Sequence, residues 1–139
     1  MGLIYANLKL YNSFDLGLLD NKMIEPNEVR STDIVALVDS GAYMMCINER
    51  IQEKLQLRKI GSQKGELANG DIVEFPIVGP VDIIFENRST SCRAMVLPGD
   101  TEPLLGAIPM EDLDVVLLPK EQKMVVNPES PLIAKKSLK

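Results

Sequence analysis

The run Ile34-Val35-Ala36-Leu37-Val38 stops abruptly at Asp39-Ser40-Gly41, and that transition narrows the chemistry of the chain more than any other feature. Five consecutive apolar residues read as a strand buried on both faces, so the chain delivers a carboxylate to the end of a buried element. A buried carboxylate without a partner loses its charge or destabilises the fold, so Asp39 must be hydrogen-bonded, paired or functional. Its neighbours suit a functional role: Ser40 can bond the backbone or a nearby side chain, and Gly41 lets main chain approach the carboxylate closely. Alone, the three residues also describe an ordinary turn, since each favours turns. The rest of the chain separates the two readings.

At 139 residues the sequence suits one domain spanning 1–139, too small to hold a deep cleft of its own, so a sizeable cleft needs a second copy. Apolar content of 45% and a formal charge of -5 describe an ordinary acidic globular chain. That charge argues against nucleic acid as a partner, and the basic run Lys135-Lys136-Ser137-Leu138-Lys139 is too short to reverse it. Histidine is absent, which removes Ser-His and Cys-His catalysis and His-ligated zinc. Cys46 and Cys92 lack CxxC spacing and read as reduced core thiols. Met1 to Leu10 does not have the form of a signal peptide, and Met1-Gly2 lacks the Ser or Thr at position 6 that myristoylation wants, where Ala6 stands. No apolar run reaches membrane-spanning length, so the expectation is a cytoplasmic protein with no membrane partner.

The remaining pattern predicts an all-β chain with one or two short helices. Leu3 to Leu10 and Asp33 to Val38 are strands joined by a polar connection over Asn12 to Arg30. Asn48 caps a short helix with Ile51 and Leu55 on one face. After the polar stretch Gly61 to Glu66, Asn69-Gly70 marks a hairpin tip, because both residues tolerate the positive φ of a type I′ turn. Val81 to Glu86 and Arg93 to Leu97 follow as strands joined across Asn87 to Ser91, with Pro76 and Pro80 at bends or edges. Pro109 to Leu113 reads as a short helix, and Val115 to Leu118 with Lys123 to Val126 as a last hairpin. Residues 127–139 begin with Pro128 and Pro131 and read as an extended or loose tail. There is no internal repeat. Two further clusters have bland readings: Glu111, Asp112 and Asp114 as solvated acids near a helix start, and Met44-Met45-Cys46 as core packing, so no metal site is expected.

Taken together, Ala36-Leu37-Val38-Asp39-Ser40-Gly41-Ala42, the Asn69-Gly70 hairpin and Leu104-Leu105-Gly106 make the chain resemble the retroviral-like (retropepsin) aspartic proteases, in the single-domain bacterial-type form. The resemblance covers roughly Asp33 to Val126, with the motifs in the family's order. It implies a closed retropepsin-like acid-protease barrel with one Asp-Ser-Gly half per chain, and therefore a homodimer. Viral members carry Asp after the Asp-Thr-Gly-Ala alanine and Arg after the glycine of the later segment; here those positions are Tyr43 and Ala107. Both partners of that ion pair are missing together, so no orphan charge remains, which fits a changed interface.

The resemblance implies an aspartic endopeptidase hydrolysing extended peptides without a cofactor. Two Asp39 carboxylates would share one proton and activate a water between them. Ser40 and Gly41 would support them. Ala42 would line the substrate groove, and Ala68, Asn69, Gly70 and Asp71 would close over the peptide as a flap. Leu104, Leu105 and Gly106 would pack behind the site. The alternative is a non-catalytic dimerisation or peptide-binding module on the same barrel, in which Ser40 merely supports a turn and Asn69-Gly70 is only an efficient hairpin.

Overall fold

The computed structural model describes residues 2–135. Met1 and residues 136–139 lie outside the described residues, and with them the start of the Met1-Gly2 reading and the end of the predicted tail and its basic run. Nine strands and three short α-helices follow in the described chain. β1 (Tyr5–Asn12) alternates outward and inward, burying Ala6, Leu8, Leu10 and Asn12. Asn12 is the polar member of that inner row and is fully used there. Its Oδ1 accepts from the Asp15 amide and caps α1 (Ser13–Asp20), while its Nδ2 donates to the Leu55 carbonyl. A 3₁₀ turn (Pro26–Glu28) leads to β2 (Ser31–Val38), antiparallel to β1 from Tyr5↔Leu37 to Tyr11↔Ser31.

β3 (Met45–Asn48) is buried along its length, and α2 (Glu49–Leu55) starts where the Asn48 side chain accepts from the Ile51 amide. β4 (Lys59–Glu66) and β5 (Ile72–Phe85) form a long hairpin, and β6 (Arg88–Leu97) pairs back along β5. The two-residue β7 (Leu104–Leu105) precedes α3 (Ala107–Leu113), and β8 (Val115–Leu118) with β9 (Lys123–Val126) makes a separate ribbon. The strand order is β1-β2-β7-β3-β6-β5-β4, and β1 also pairs with β5 from Lys9↔Ile84 to Asn12↔Val81, so the sheet returns to its own first strand. Inside lies one core that includes Leu8, Leu10, Met45, Ile47, Leu55, Val81, Ile83, Leu105 and Leu113. Apolar burial of this kind supplies the main force holding such a fold.

Several expectations are corrected. The described residues hold three α-helices where one or two were expected, because the polar connection over Asn12 to Arg30 holds α1. That helix is made by its cap and by Arg30, whose Nε and Nη2 both clasp the Asp15 carboxylate (2.8 and 2.9 Å), more than by an apolar stripe. The polar stretch Gly61 to Glu66 belongs to β4, a mostly exposed strand at the sheet's edge that has little apolar alternation to betray it. β5 runs unbroken through Pro76 and Pro80, with the register slipping between Val78 and Val81, and the turn into β6 is at Glu86-Asn87, where Glu86 takes φ 52°. Arg88 to Ser91 are therefore strand residues, not a connection. β2 is not buried on both faces within one chain: Val35 is 56% exposed while Ala36 is enclosed.

The acids placed near a helix start stand at a helix end. α3 begins at Ala107, so Glu111 and Asp112 fall in its last turn and Asp114 is its left-handed C-cap residue, φ 56°. Asp114 is also no solvated bystander. It accepts from the Asn127 Nδ2 (2.9 Å), the Ser130 hydroxyl and the Lys135 amide (2.8 Å), and it lies 3.7 Å from the Arg88 guanidinium. Arg88 is 1% exposed and donates to the carbonyls of Asp114 and Ser130. As far as Lys135, the segment after β9 thus has no regular secondary structure but is tied to the body of the fold.

Candidate active site

Asp39 leaves β2 onto a short loop whose backbone is fixed from several sides. The Asp39 amide donates to the Leu105 carbonyl (3.0 Å), and Val38 donates to Ile4 (2.8 Å). The parallel pairs Leu37↔Leu104 and Val38↔Leu105 place β7 beside β2, while Cys46↔Leu104 pairs the other edge of β7 with β3. Leu104 and Leu105 thus thread between the strand that enters the loop and the strand that leaves it. The Asp39 Oδ1 accepts from the Gly41 amide (2.9 Å), which orients the carboxylate, and the Asp39 carbonyl accepts from Ala42 (3.0 Å). Asp39 is half-buried and Ser40 and Gly41 are exposed, so this carboxylate faces an accessible surface in a single chain.

Gly106 explains why the later segment must end in glycine. A Cβ there would stand 2.2 Å from the Met44 carbonyl oxygen and 2.9 Å from its nitrogen, a clash with rigid main chain. Its φ of -83° is ordinary, so the requirement is space and not conformation. The closeness lets α3 fasten the other side of the loop: Ala107 donates to the Ala42 carbonyl (2.8 Å) and Ile108 to the Tyr43 carbonyl (3.2 Å). Tyr43 and Ala107, the positions that depart from the viral pattern, therefore lie on adjoining segments here, each bonded to the other's chain neighbour. The Tyr43 side chain is 73% exposed.

A groove of about 350 Å³ begins beside this loop. It is lined by Tyr43, Met44 and Met45, by Gly61, Ser62 and Gln63 of β4, and by Ile108 and Pro109 of α3, among others. The β4–β5 hairpin therefore forms one wall next to the Asp39 loop. Its tip differs in detail from the expected two-residue turn. Leu67 donates to the Asp71 carbonyl (2.8 Å) and Gly70 to the Leu67 carbonyl (2.9 Å), and Gly70 has φ 89° while Asn69 is not in the positive region. This is a three-residue loop with a glycine bulge rather than a type I′ turn. The Asn69 Oδ1 accepts from the Asp71 amide (3.0 Å), and Ala68, Asn69, Gly70 and Asp71 are all exposed.

The structure thus unites Asp39, Ser40, Gly41 and Ala42 with Leu104, Leu105 and Gly106. The tip residues 68–71 are not joined to them by any described hydrogen bond. Behind the loop, Cys46 is buried on β3, and burial, with the Asp39 charge second, raises its thiol above the usual value. Cys92 is pushed up to about 12, mainly by burial. Neither thiol is poised as a nucleophile. Met45 packs in the core as expected, while Met44 lines the groove.

The profile of a family described as aspartyl protease matches residues 26–125, which contain Asp39, the hairpin and Gly106. The chain belongs to the aspartyl protease family. A search among curated proteins gives no match. For a member of this family, the residues that sequence reasoning overlooked are the groove walls on β4 and α3. One signal was available on β4: Gly65 in a polar strand marks close approach, since a Cβ there would come 2.7 Å from the Phe75 ring.

Proposed function

We propose that this member of the aspartyl protease family is an endopeptidase that works as a homodimer, with one Asp39 from each subunit. The observation that carries the proposal is the Asp39 carboxylate, half-exposed and oriented by the Gly41 amide on a loop locked by β7 and α3. A single carboxylate cannot act as base and acid in the same step, and the sequence holds one Asp-Ser-Gly. Two copies facing each other across a two-fold axis supply the pair. Like charges in contact do not both ionise, so the pair keeps one proton. The ionised member takes a proton from water as its oxygen bonds to the peptide carbonyl carbon. The protonated member supports the developing oxyanion, and a proton passes to the nitrogen as the C–N bond breaks.

In this reading the return of the sheet from β5 to β1 supports the closed barrel of retropepsins, and the groove beside Tyr43 and Met44 takes part of an extended peptide. The 68–71 tip closes over that peptide and excludes water. Two unpaired cysteines fit a reducing, cytoplasmic setting. The test is Asp39→Asn, which keeps size and shape. Peptide cleavage by the purified variant is expected to fall at least about 10³-fold with its circular dichroism unchanged. Cleavage that persists in Asp39→Asn refutes the dyad. The requirement for one retained proton also sets an acidic optimum, and a rate that climbs through neutral pH would contradict it.

A further inference from the structure

A second cavity, of about 480 Å³, opens at the far end of the β1–β2 ladder, lined by Asn12, Phe14, Arg30, Gln56, Leu57, Arg58, Gly79 and Pro80. Arg30 directly precedes β2 and Asp39 directly follows it. At about 3.3 Å per residue the two ends stand up to roughly 30 Å apart, so this cavity is no part of the Asp39 groove. The buried Leu57 and the Pro80 ring give it an apolar lining, and Phe14, 67% exposed, offers an uncovered aromatic face. Gly79 belongs there for a backbone reason: it takes φ 146°, and its amide donates to the Arg58 carbonyl (3.0 Å).

Charge gives the cavity its character. Among the described residues, two guanidiniums and no carboxylate line it, in a chain of formal charge -5. Arg30 spends its Nε and Nη2 on Asp15, so its charge is largely matched. Arg58 forms no ion pair among the described residues. Asn12 offers nothing further, since Leu55, Gln56 and Asp15 occupy its side chain. An unmatched guanidinium beside apolar and aromatic surface selects a ligand with both properties. The planar fork pairs with a carboxylate, and Phe14, Leu57 and Pro80 receive a hydrocarbon or ring attached to it. We propose that this cavity binds a carboxylate carried on an aromatic or aliphatic body, the chemistry of a peptide's apolar C-terminal residue.

The test is a titration of ¹⁵N-labelled protein with N-acetyl-L-phenylalanine, followed by amide shifts, beside the same titration with its carboxamide. Saturable shifts are expected at Phe14, Gln56, Leu57, Arg58 and Gly79. The carboxamide and the Arg58→Gln variant should each bind at least about tenfold more weakly, as loss of a charge-assisted pair requires. Absence of shifts at these residues, equal binding of acid and carboxamide, or unchanged affinity in Arg58→Gln would each overturn the proposal. Asp39 takes no part in this readout, so the result stands apart from any measurement of peptide cleavage.

Discussion

Gly106 has no room for a side chain, and that makes it the residue whose replacement tells most about the site. The Met44 carbonyl that a Cβ would strike belongs to the chain just past Asp39, which α3 holds through backbone bonds to the preceding Ala42 and Tyr43 carbonyls. Gly106→Ala is expected to cost about 3 kcal/mol, read as a lower denaturation midpoint, and to displace the Asp39 loop. Asp114 gives a residue-scale prediction in pH. Hydrogen bonds from Lys135, Ser130 and Asn127, with the Arg88 charge adding a smaller part, lower its carboxyl from 3.8 to about 2. A depressed native value means that the stabilisation is complete above the unfolded value and fades as pH falls through the folded one. Asp114→Asn, which tolerates the left-handed backbone there, should flatten the loss of thermal stability between about pH 4 and pH 2. Asp39-Ser40-Gly41 was legible in the sequence because its chemistry is local. Arg88 and Asp114 were not, since the pair is assembled across 26 positions with no pattern linking them.

Among elements, the β4–β5 hairpin carries its own test. Gly70 has open space around its Cα, so Gly70→Ala loses no contact and meets only the strain of φ 89°. The expected cost is about 1 kcal/mol, confined to the tip, which should speed hydrogen exchange at the Leu67 and Gly70 amides about fivefold. The global unfolding midpoint should hardly move, because nothing in the core leans on the tip. The elements that the sequence revealed are those whose signals are local: the Asn48 cap of α2, the β8–β9 ribbon with the predicted boundaries, and the position of the Asn69-Gly70 turn. α1 was hidden because a cap and the Asp15–Arg30 clasp substitute for apolar periodicity. β4 was hidden because an edge strand exposed on most of its length has no reason to alternate. β5 was divided at its prolines because a bulge, which the sequence does not announce, lets a ladder pass Pro80.

For the whole molecule, function in the proposed reading belongs to pairs of chains. Mixing gives a direct measure: a ninefold excess of Asp39→Asn over native chains leaves one native chain in ten with a native partner. Cleavage per native chain should then drop roughly tenfold, provided exchange is complete. Unchanged activity per native chain would mean that one subunit suffices. The mixed assemblies also show whether a lone acid retains any turnover. A practical consequence follows from the burial of Cys46 and Cys92. With Cys92 pushed up to about 12 and Cys46 raised as well, neither forms appreciable thiolate near neutrality. Maleimide dyes should therefore ignore the native chain. Asn69→Cys, on the exposed hairpin tip, would then be a selective attachment point for a fluorophore, whose anisotropy reads the motion of that tip without first stripping out the natural thiols.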